Sequence, residues 1–445
     1  MLGRENRLVP QSRLPGTLRV LLAASFASSI GGGLTLPFLV IYLHQVRQIA
    51  LGITGVLIGG VAILALPVAP VAGALVDRFG ARVVLLVALL LEGIGTASLA
   101  TVHSTLTAVA AMFVYGLGQA AGWPTWNALL GVMVDDDTIR RLAFARNFQL
   151  LNLGLGIGAV IGGIVVHVRE PGTFVAIYLI DGTSNVIVVA ALALLPKTAF
   201  GARRERSPAR TAGDDRGADG GPAKALPGGY RAVFSDRLFR RYALTLTVLM
   251  LAGYAAINTG FVAFATSVAK AGPGTVAISF AANTSLIVVT QPLALRLCGK
   301  IRRTTALKAV AASFGASWVV LAMAGLTPGS AVSRVLVIVT AAVFGVGEVL
   351  LSPVNGPLVN DLAPQALRGR YFAASAMCFT LAAIVSPAIS GAMIGAGLGL
   401  WLLVLFVAAC GAAAIGAEWL SRSLTPAQDN APEARRAGAS LSEAD

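Results

Sequence analysis

Twelve long apolar stretches run through the chain, and each is long enough to cross a lipid bilayer as a helix. A hydrocarbon core of about 30 Å requires roughly 20 apolar residues per helix. The stretches contain Gly and Pro and show no sustained alternation of period two, which favours helices over an outer-membrane barrel. The pattern predicts spans at about residues 17–43, 51–76, 82–101, 105–133, 146–168, 172–195, 239–268, 273–297, 304–326, 331–358, 371–395 and 398–419.

A polar gap separates the first six spans from the last six, so we expect an all-α polytopic membrane protein made of two pseudo-symmetric six-helix bundles. An N-terminal tail at 1–16 precedes the bundles, which we expect at 17–195 and 239–420. A linker at 196–238 and a tail at 421–445 are rich in Gly, Ala, Pro and charged residues. Such segments bury too little apolar surface to fold, so we predict that both are disordered.

Short polar motifs recur at corresponding places in the two halves. "DRFGAR" (77–82) follows the second span and "RLCGKIRR" (296–303) follows the eighth, at an offset near 220. "DDDTIRRLAFARN" (135–147) and "NDLAPQALRGRYF" (360–372) follow the fourth and tenth spans at nearly the same offset. Paired halves are typical of transporters, because a pseudo-symmetric molecule can rock about a site near the membrane midplane.

The chain has few charged residues, and most of them are basic. Only 12% of the residues are charged, against about 25% in soluble domains, and the formal net charge is +14. If the N-terminus is cytoplasmic, the outer side holds four of the 34 basic residues, namely Arg47, Arg169, Lys270 and Arg334. This distribution follows the positive-inside rule, so we expect cytoplasmic termini, a multi-pass protein of the plasma membrane (in bacteria the inner membrane) and no nucleic-acid partner.

The stretch "GALVDRFGARVV", which begins at Gly73, concentrates charge between two apolar runs. Gly73 allows two helices to approach closely. Asp77 stands beside Arg78 and Arg82 where a helix ends, and a carboxylate there can also bind the positive end of a neighbouring helix. Gly80 permits a tight turn that a side chain would obstruct. We predict a short charged latch on the cytoplasmic side that takes part in gating.

This stretch resembles the loop motif of the major facilitator superfamily, G-x-L-(a)-D-R-x-G-R-(R/K). The matching residues are Gly73, Leu75, Asp77, Arg78, Gly80 and Arg82. With twelve spans and a central linker, the resemblance covers nearly the whole chain. It implies two six-helix bundles around a central cavity, with the latch bracing the outward-open state against span 11.

Two further stretches resemble the drug:proton antiporter branch of that superfamily. "GLGIGAVIGG" (154–163) is similar to the glycine motif of span 5, with Ala159 in the proline position, although small residues there also suit close helix packing in any branch. "GEVLLSP" (347–353) is similar to span 10 of MdtH-type multidrug exporters. In span 4, Met112 occupies the place of an arginine that the family associates with proton coupling, which leaves the coupling mechanism open.

Three acidic residues lie inside predicted spans: Glu92, Asp181 and Glu348. An ionisable side chain at that depth costs about 2.5–3.5 kcal/mol on insertion scales, so each is a candidate for function. Burial favours the neutral form of a carboxyl group, which suits proton loading and release. Glu348 is the first choice for proton coupling, because Ser352 and Asn355 follow it on one helical face. Packing by hydrogen bonds is the alternative for Glu348 and Asp181, whereas Glu92 stands alone on span 3, a helix that is peripheral in the family fold.

Polar and aromatic residues on four spans are candidates for lining a substrate cavity. They are Tyr115, Gln119, Trp123 and Asn127 in span 4, Tyr254 and Asn258 in span 7, Asn283 in span 8 and Asn355 in span 10. Aromatic rings with polar handles bind amphipathic compounds without strict geometry. Hydrogen bonding between helices is the alternative role.

The sequence contains no catalytic constellation and no phosphate-binding loop, and its three histidines are scattered. We therefore expect no enzymatic activity, no cofactor and no metal. We predict a monomeric secondary active transporter that exports small amphipathic molecules by alternating access, with protons as the coupling ion. An uptake or facilitated carrier for a specific solute remains an alternative, as does a membrane sensor or scaffold that does not transport.

Overall fold

The computed structural model describes residues 14–134, 136–196 and 229–430. Within these ranges it contains twelve helical spans and no β-strand, which confirms the predicted fold class, and the predicted span ends agree to within four residues. The spans, numbered 1 to 12, are Gly16–Val46, Leu51–Phe79, Ala81–Leu99, Thr105–Val132, Leu142–Val165, Pro171–Leu194, Arg237–Ser267, Pro273–Cys298, Arg303–Ala324, Ala331–Leu362, Arg368–Gly395 and Gly399–Ser421.

The packing of the first six spans is repeated in the last six. Span 3 packs against spans 4 and 6, span 4 against span 2, and span 1 against spans 5 and 6. Each of these pairs recurs six spans later, for example as span 9 against spans 10 and 12. Between the bundles, span 2 packs against span 11 and span 5 against span 8, which are again equivalent pairs. The molecule therefore has the pseudo-two-fold symmetry that the repeated motifs predict.

The two bundles touch on one side of the molecule. We call the side on which span 1 begins and span 12 ends the terminal side, and the other the far side. At the far side a Cβ atom on Gly55 would collide with the carbonyl of Pro387, and one on Gly391 with that of Leu51. At the terminal end of span 2, residues 73–75 and 77–80 are exposed, which covers every face of the helix. The bundles are therefore closed together at the far side and separated at the terminal side.

Spans 1 and 7, which are equivalent by symmetry, are both irregular helices. Span 1 tightens into a 3-10 turn at Leu36–Phe38 and ends in a π-helical turn at Tyr42–Val46. Span 7 breaks at Gly253 and continues through a π-helical turn at Ile257–Phe261. Such turns mark functional sites and hinges in many proteins. The irregular turns thus occur in two spans that occupy equivalent positions in the two bundles.

Small residues on span 5 allow it to contact span 1 at backbone distance. A Cβ atom on Gly158 would collide with the carbonyl of Ile30, and one on Gly154 would collide with Ser29. Since apolar lipid supplies no hydrophobic force between helices, such close packing is a main source of their attraction. The glycine stretch of span 5 therefore has a packing role within the first bundle.

The predicted boundaries of the linker and the C-terminal tail differ from the structure. Residues 1–13, 197–228 and 431–445 lie outside the described residues, but Gly229–Ser235 forms a helix just before span 7. Residues 422–430 are ordered, and Asp429 is only 2% exposed. The prediction of disorder is therefore wrong for the first part of the tail, because its polar residues bond to the bundle instead of to water.

We predict that Gly158→Ala destabilises the protein, whereas Gly60→Ala does not. The added methyl group at position 158 meets the backbone of span 1, and overpacking of this kind costs about 1–3 kcal/mol. At Gly60, in the interior of span 2, a Cβ atom has nothing within 4 Å among the described atoms, and alanine is the better helix former. Thermal unfolding of the purified protein in detergent measures the difference. Equal melting temperatures for the two variants would contradict the packing role.

Candidate functional site

A cavity of about 310 Å³ lies inside the first bundle, between spans 1, 3, 4, 5 and 6. Its wall is mostly apolar, with leucines from three of these spans. The polar and aromatic lining residues are Ser25, Ser28, Ser29, Thr35, Glu92, Thr96, Tyr115, Gln119, Trp123, Trp126, Asn147, Tyr178, Asp181 and Asn185. Five of the residues predicted from the sequence are therefore in one place: the two acids of spans 3 and 6 and three residues of span 4.

Asp181 holds spans 1 and 6 together at the wall of this cavity. Its Oδ2 atom accepts a hydrogen bond of 2.5 Å from the Thr35 hydroxyl, and the side chain is only 7% exposed. One turn further along, the Ser28 hydroxyl donates to Oδ1 of Asn185 at 2.9 Å. Gly31 makes the approach possible, because a Cβ atom there would lie 2.7 Å from the Asp181 carboxylate. Each hydrogen-bond donor is neutral, so the carboxyl group is positioned without being paired with a cation.

Glu92 lines the same cavity and interacts electrostatically with Asp181. The expectation that Glu92 stands alone on span 3 is wrong, because Asp181 lines the same cavity. Span 3 packs against span 6, so the two carboxyl groups face a common space. Two like charges in apolar surroundings repel each other, so a proton or another cation in the cavity stabilises the pair.

Tyr178, which the sequence did not single out, places a hydroxyl group without a described hydrogen-bond partner at the wall of the cavity. Its side chain is 1% exposed, and its hydroxyl has no hydrogen-bond partner among the described residues. By contrast, the Tyr115 hydroxyl accepts a bond of 2.6 Å from Gln119. Tyr178 lies three residues before Asp181, so helical spacing alone places both on one face. A buried hydroxyl without a partner is costly, which makes it available to a ligand.

A second acidic site lies in the other bundle, around Glu348 of span 10. The Asn283 amide of span 8 donates to Glu348 Oε2 at 2.7 Å and to the carbonyl of Ala341 at 3.1 Å. Tyr254 of span 7 also lies near Glu348 and interacts with it electrostatically. Three predicted residues from three spans thus meet around one carboxyl group, which is again held by a neutral donor.

The remaining predicted cavity residues lie elsewhere. Asn355 accepts a hydrogen bond from the Tyr242 hydroxyl near the start of span 7, because seven residues carry it about 10 Å along the helix from Glu348. Asn127 donates to the carbonyl of Trp123 in its own helix at 3.0 Å. Asn258 is exposed within the π-helical turn of span 7. Sharing a helical face therefore did not bring Asn355 into the Glu348 site.

The predicted latch is in an open arrangement. Gly80 has a φ of 87°, as its turn between spans 2 and 3 requires. Arg82 donates to the carbonyl of Ala193 at the end of span 6 at 3.1 Å. Asp77 and Arg78 are exposed, and Gly73 has nothing within 4 Å of its Cβ position among the described atoms. The close helix contact expected at Gly73 is therefore not formed in this conformation, because the bundles are apart on this side.

A family profile and one known protein match most of this chain in sequence, and a second known protein matches part of it. A profile described as Major Facilitator Superfamily matches residues 21–339, which is more than half of the chain. The chain is 24% identical over 374 residues to the uncharacterized MFS-type transporter YqjV of Bacillus subtilis (strain 168), covering 82% of this chain and 83% of that protein. It is 31% identical over 176 residues to the class C tetracycline resistance protein of Escherichia coli, covering 38% of this chain and 43% of that protein.

Solved structures of transporters share the fold at low sequence identity. The POT family transporter PepTSo superposes with a TM-score of 0.71 at 17% identity, over 92% of this chain and 98% of that one. The nucleoside transporter NupG superposes with a TM-score of 0.67 at 14% identity, over 92% and 99% of the two chains. Twelve apolar spans, the repeated packing and the sequence match agree. The chain belongs to the Major Facilitator Superfamily and is a multi-pass membrane transporter of the plasma membrane.

Proposed function

We propose that the protein is a monomeric secondary active transporter of the drug:proton antiporter branch, which exports small amphipathic molecules in exchange for protons. The observation that carries this proposal is the cavity of the first bundle, where two carboxyl groups and four aromatic side chains line a mostly apolar space. The lining holds no Lys or Arg among its described residues. Such a cavity suits an apolar molecule that carries a positive charge.

The aromatic residues give the cavity its affinity for rings and cations. Tyr115, Trp123 and Trp126 line it from span 4, and Trp126 is oriented by a bond of 3.1 Å from its indole nitrogen to Asn147. Aromatic faces attract cations by about 0.5–2 kcal/mol, more when water is excluded. The volume of about 310 Å³ is at the lower end of small-molecule sites. Small amphipathic cations therefore fit better than large or acidic solutes.

The carboxyl groups supply a means of exchange. Asp181 and Glu348 accept hydrogen bonds from Thr35 and Asn283, neutral donors that serve a carboxyl group whether or not it carries a proton. A proton and a cationic substrate both relieve the repulsion between Asp181 and Glu92, so the two compete. Binding of a proton from one side then favours release of the substrate, which is the requirement for antiport.

Alternating access is supported by the one-sided contact between the bundles. With cytoplasmic termini, the open terminal side faces the cytoplasm, and substrate enters from there. In the other state the far side opens, and Asp77 binds near the terminal end of span 11. The name of the tetracycline resistance protein, a partial relative, favours export over uptake.

We predict that collapse of the proton gradient abolishes export, and that Asp181→Asn and Glu348→Gln each remove its pH dependence. Either substitution leaves an amide that cannot exchange a proton at neutral pH. Everted membrane vesicles turn the cytoplasmic side outward, so they measure the rate as the uptake of externally added ethidium, a fluorescent amphipathic cation. Glu170→Gln is the matched control, because Glu170 is exposed in the loop between spans 5 and 6.

Export that continues unchanged after an ionophore is added would rule out proton coupling. If export remains pH-dependent in both variants, the coupling groups lie elsewhere.

We predict that Trp123→Ala weakens the binding of tetraphenylphosphonium about tenfold, since the loss of an aromatic contact with a cation costs about 1–2 kcal/mol. Trp401→Ala serves as the control, because Trp401 is 65% exposed on span 12 and lies outside the cavity lining. Equilibrium binding of the radiolabelled cation to the purified protein provides the measurement. An equal loss in both variants, or none in either, would argue against this cavity as the substrate site.

A further inference from the structure

The segment after span 12 folds back over the terminal side of the second bundle. Arg241 at the start of span 7 donates to the Ser423 hydroxyl at 2.7 Å and guides the chain as it leaves span 12. The sequence "TPAQ" then forms a turn in which the Gln428 side chain accepts from the Thr425 backbone at 3.1 Å. The Thr425 hydroxyl accepts from the Gln428 backbone at 3.3 Å. This reciprocal pair, with proline between its members, is a helix-start motif that fixes the position of the next residues.

Asp429 caps the helix of span 9. Its carboxylate accepts bonds of 2.9 Å from both the backbone nitrogen and the hydroxyl of Thr304, in the first turn of that helix. Arg302, at the position where span 9 would carry its own cap, provides no side-chain cap. A helix start has unsatisfied N–H groups and a partial positive charge, so a carboxylate is the group it binds best. The cap of span 9 is thus supplied by a residue 125 positions away in sequence.

Asn430 provides the complementary contact at the end of span 8. Its side-chain amide donates toward the carbonyls of Cys298, Gly299 and Ile301 at 3.4, 3.3 and 3.0 Å. The residue has a φ of 53°, a left-handed conformation that asparagine tolerates better than most residues. Carbonyl groups at a helix end lack partners and attract donors. Two successive residues therefore cap the two helix ends that flank one loop, each with the group of the right polarity.

The same segment is joined to the end of span 10 through Arg303. The guanidinium group of Arg303 forms an ion pair of 2.6 Å with Asp361 and donates to the carbonyl of Gln428 at 2.8 Å. The Gln428 amide donates in turn to the carbonyl of Asp361 at 3.2 Å. These bonds link the terminal ends of spans 8, 9 and 10 to the segment that follows span 12.

We propose that residues 425–430 complete the latch of the second bundle, with Asp429 and Asn430 as positioning residues that make the terminal ends of spans 8, 9 and 10 move together. The first-half latch carries an acid, Asp77, in the last turn of span 2, whereas the second copy, "RLCGKIRR", contains none. Asp429 supplies that carboxylate from the end of the chain. The proposal holds for any substrate, because it concerns how the ends of spans 8, 9 and 10 are held together and not how the cavity of the first bundle binds a molecule.

The buried thiol of Cys298 reports directly on this contact. The residue is 7% exposed, its backbone carbonyl accepts from the Asn430 amide, and its thiol lies 3.8 Å from the carbonyl of Leu350 in span 10. The other two cysteines, Cys378 and Cys410, can be replaced by alanine. In that background, a chain that stops after Leu424 and the variant Asp429→Ala should both react with a maleimide about tenfold faster, as expected for lost helix caps. A chain that stops after Asn430 keeps every contact and should react within about twofold of the full chain.

Unchanged reactivity in both the short chain and Asp429→Ala would overturn the proposal, as would equal acceleration in the chain that stops after Asn430. If the short chain does not fold, Asp429→Ala and the conservative Asp429→Asn still decide the matter. The amide oxygen of asparagine still accepts from Thr304, so this variant should restore slow labelling.

Spin labels at Lys300→Cys and Gln365→Cys, both exposed positions, test whether spans 8 and 10 are held together. Loss of general stability leaves the distance distribution of the folded protein unchanged, whereas release of the latch broadens it. A distribution equally narrow with and without residues 425–430 would also overturn the proposal.

Discussion

Close contact between helix backbones at glycine is the interaction on which this transporter depends. Lipid cannot satisfy backbone polar groups, so each span must remain helical, and helices in lipid attract each other mainly through packing. Gly55 and Gly391 bring spans 2 and 11 together at the far side, while Gly158 joins span 5 to span 1 inside the first bundle. One set of contacts holds a bundle together, and the other joins the two bundles.

The acidic residues are placed within this frame by neutral donors. Thr35 and Asn283 each bring a hydrogen bond from a neighbouring span to a carboxyl group, so the acids link helices and remain free to change their protonation. A lysine or arginine in the same position would hold the charge permanently. The structural and functional roles of these acids, which the sequence left as alternatives, are therefore compatible in one arrangement.

Sequence reasoning located the spans and the repeat because apolar length and motif spacing are local properties. It did not foresee that Glu92 shares a cavity with Asp181, since that depends on which helices become neighbours. It placed Asn355 with Glu348 from helical spacing, but a distant tyrosine on span 7 bonds Asn355 instead. The polar composition of the tail predicted disorder, but residues 422–430 are folded against the bundle. Thr425 and Gln428, three residues apart, match a helix-start motif that could have indicated this.

The docking of Asp429 has a consequence for biosynthesis. Span 9 enters the membrane long before its cap exists, because Thr304 precedes Asp429 by 125 residues. At about 5–20 residues per second, the ribosome needs roughly 6–25 s to make the intervening chain. During that interval the first turn of span 9 has to rely on water or lipid head groups for its N–H groups. The second half of the protein therefore reaches its final form only after Asp429 has been made, when the first half has been complete for some time.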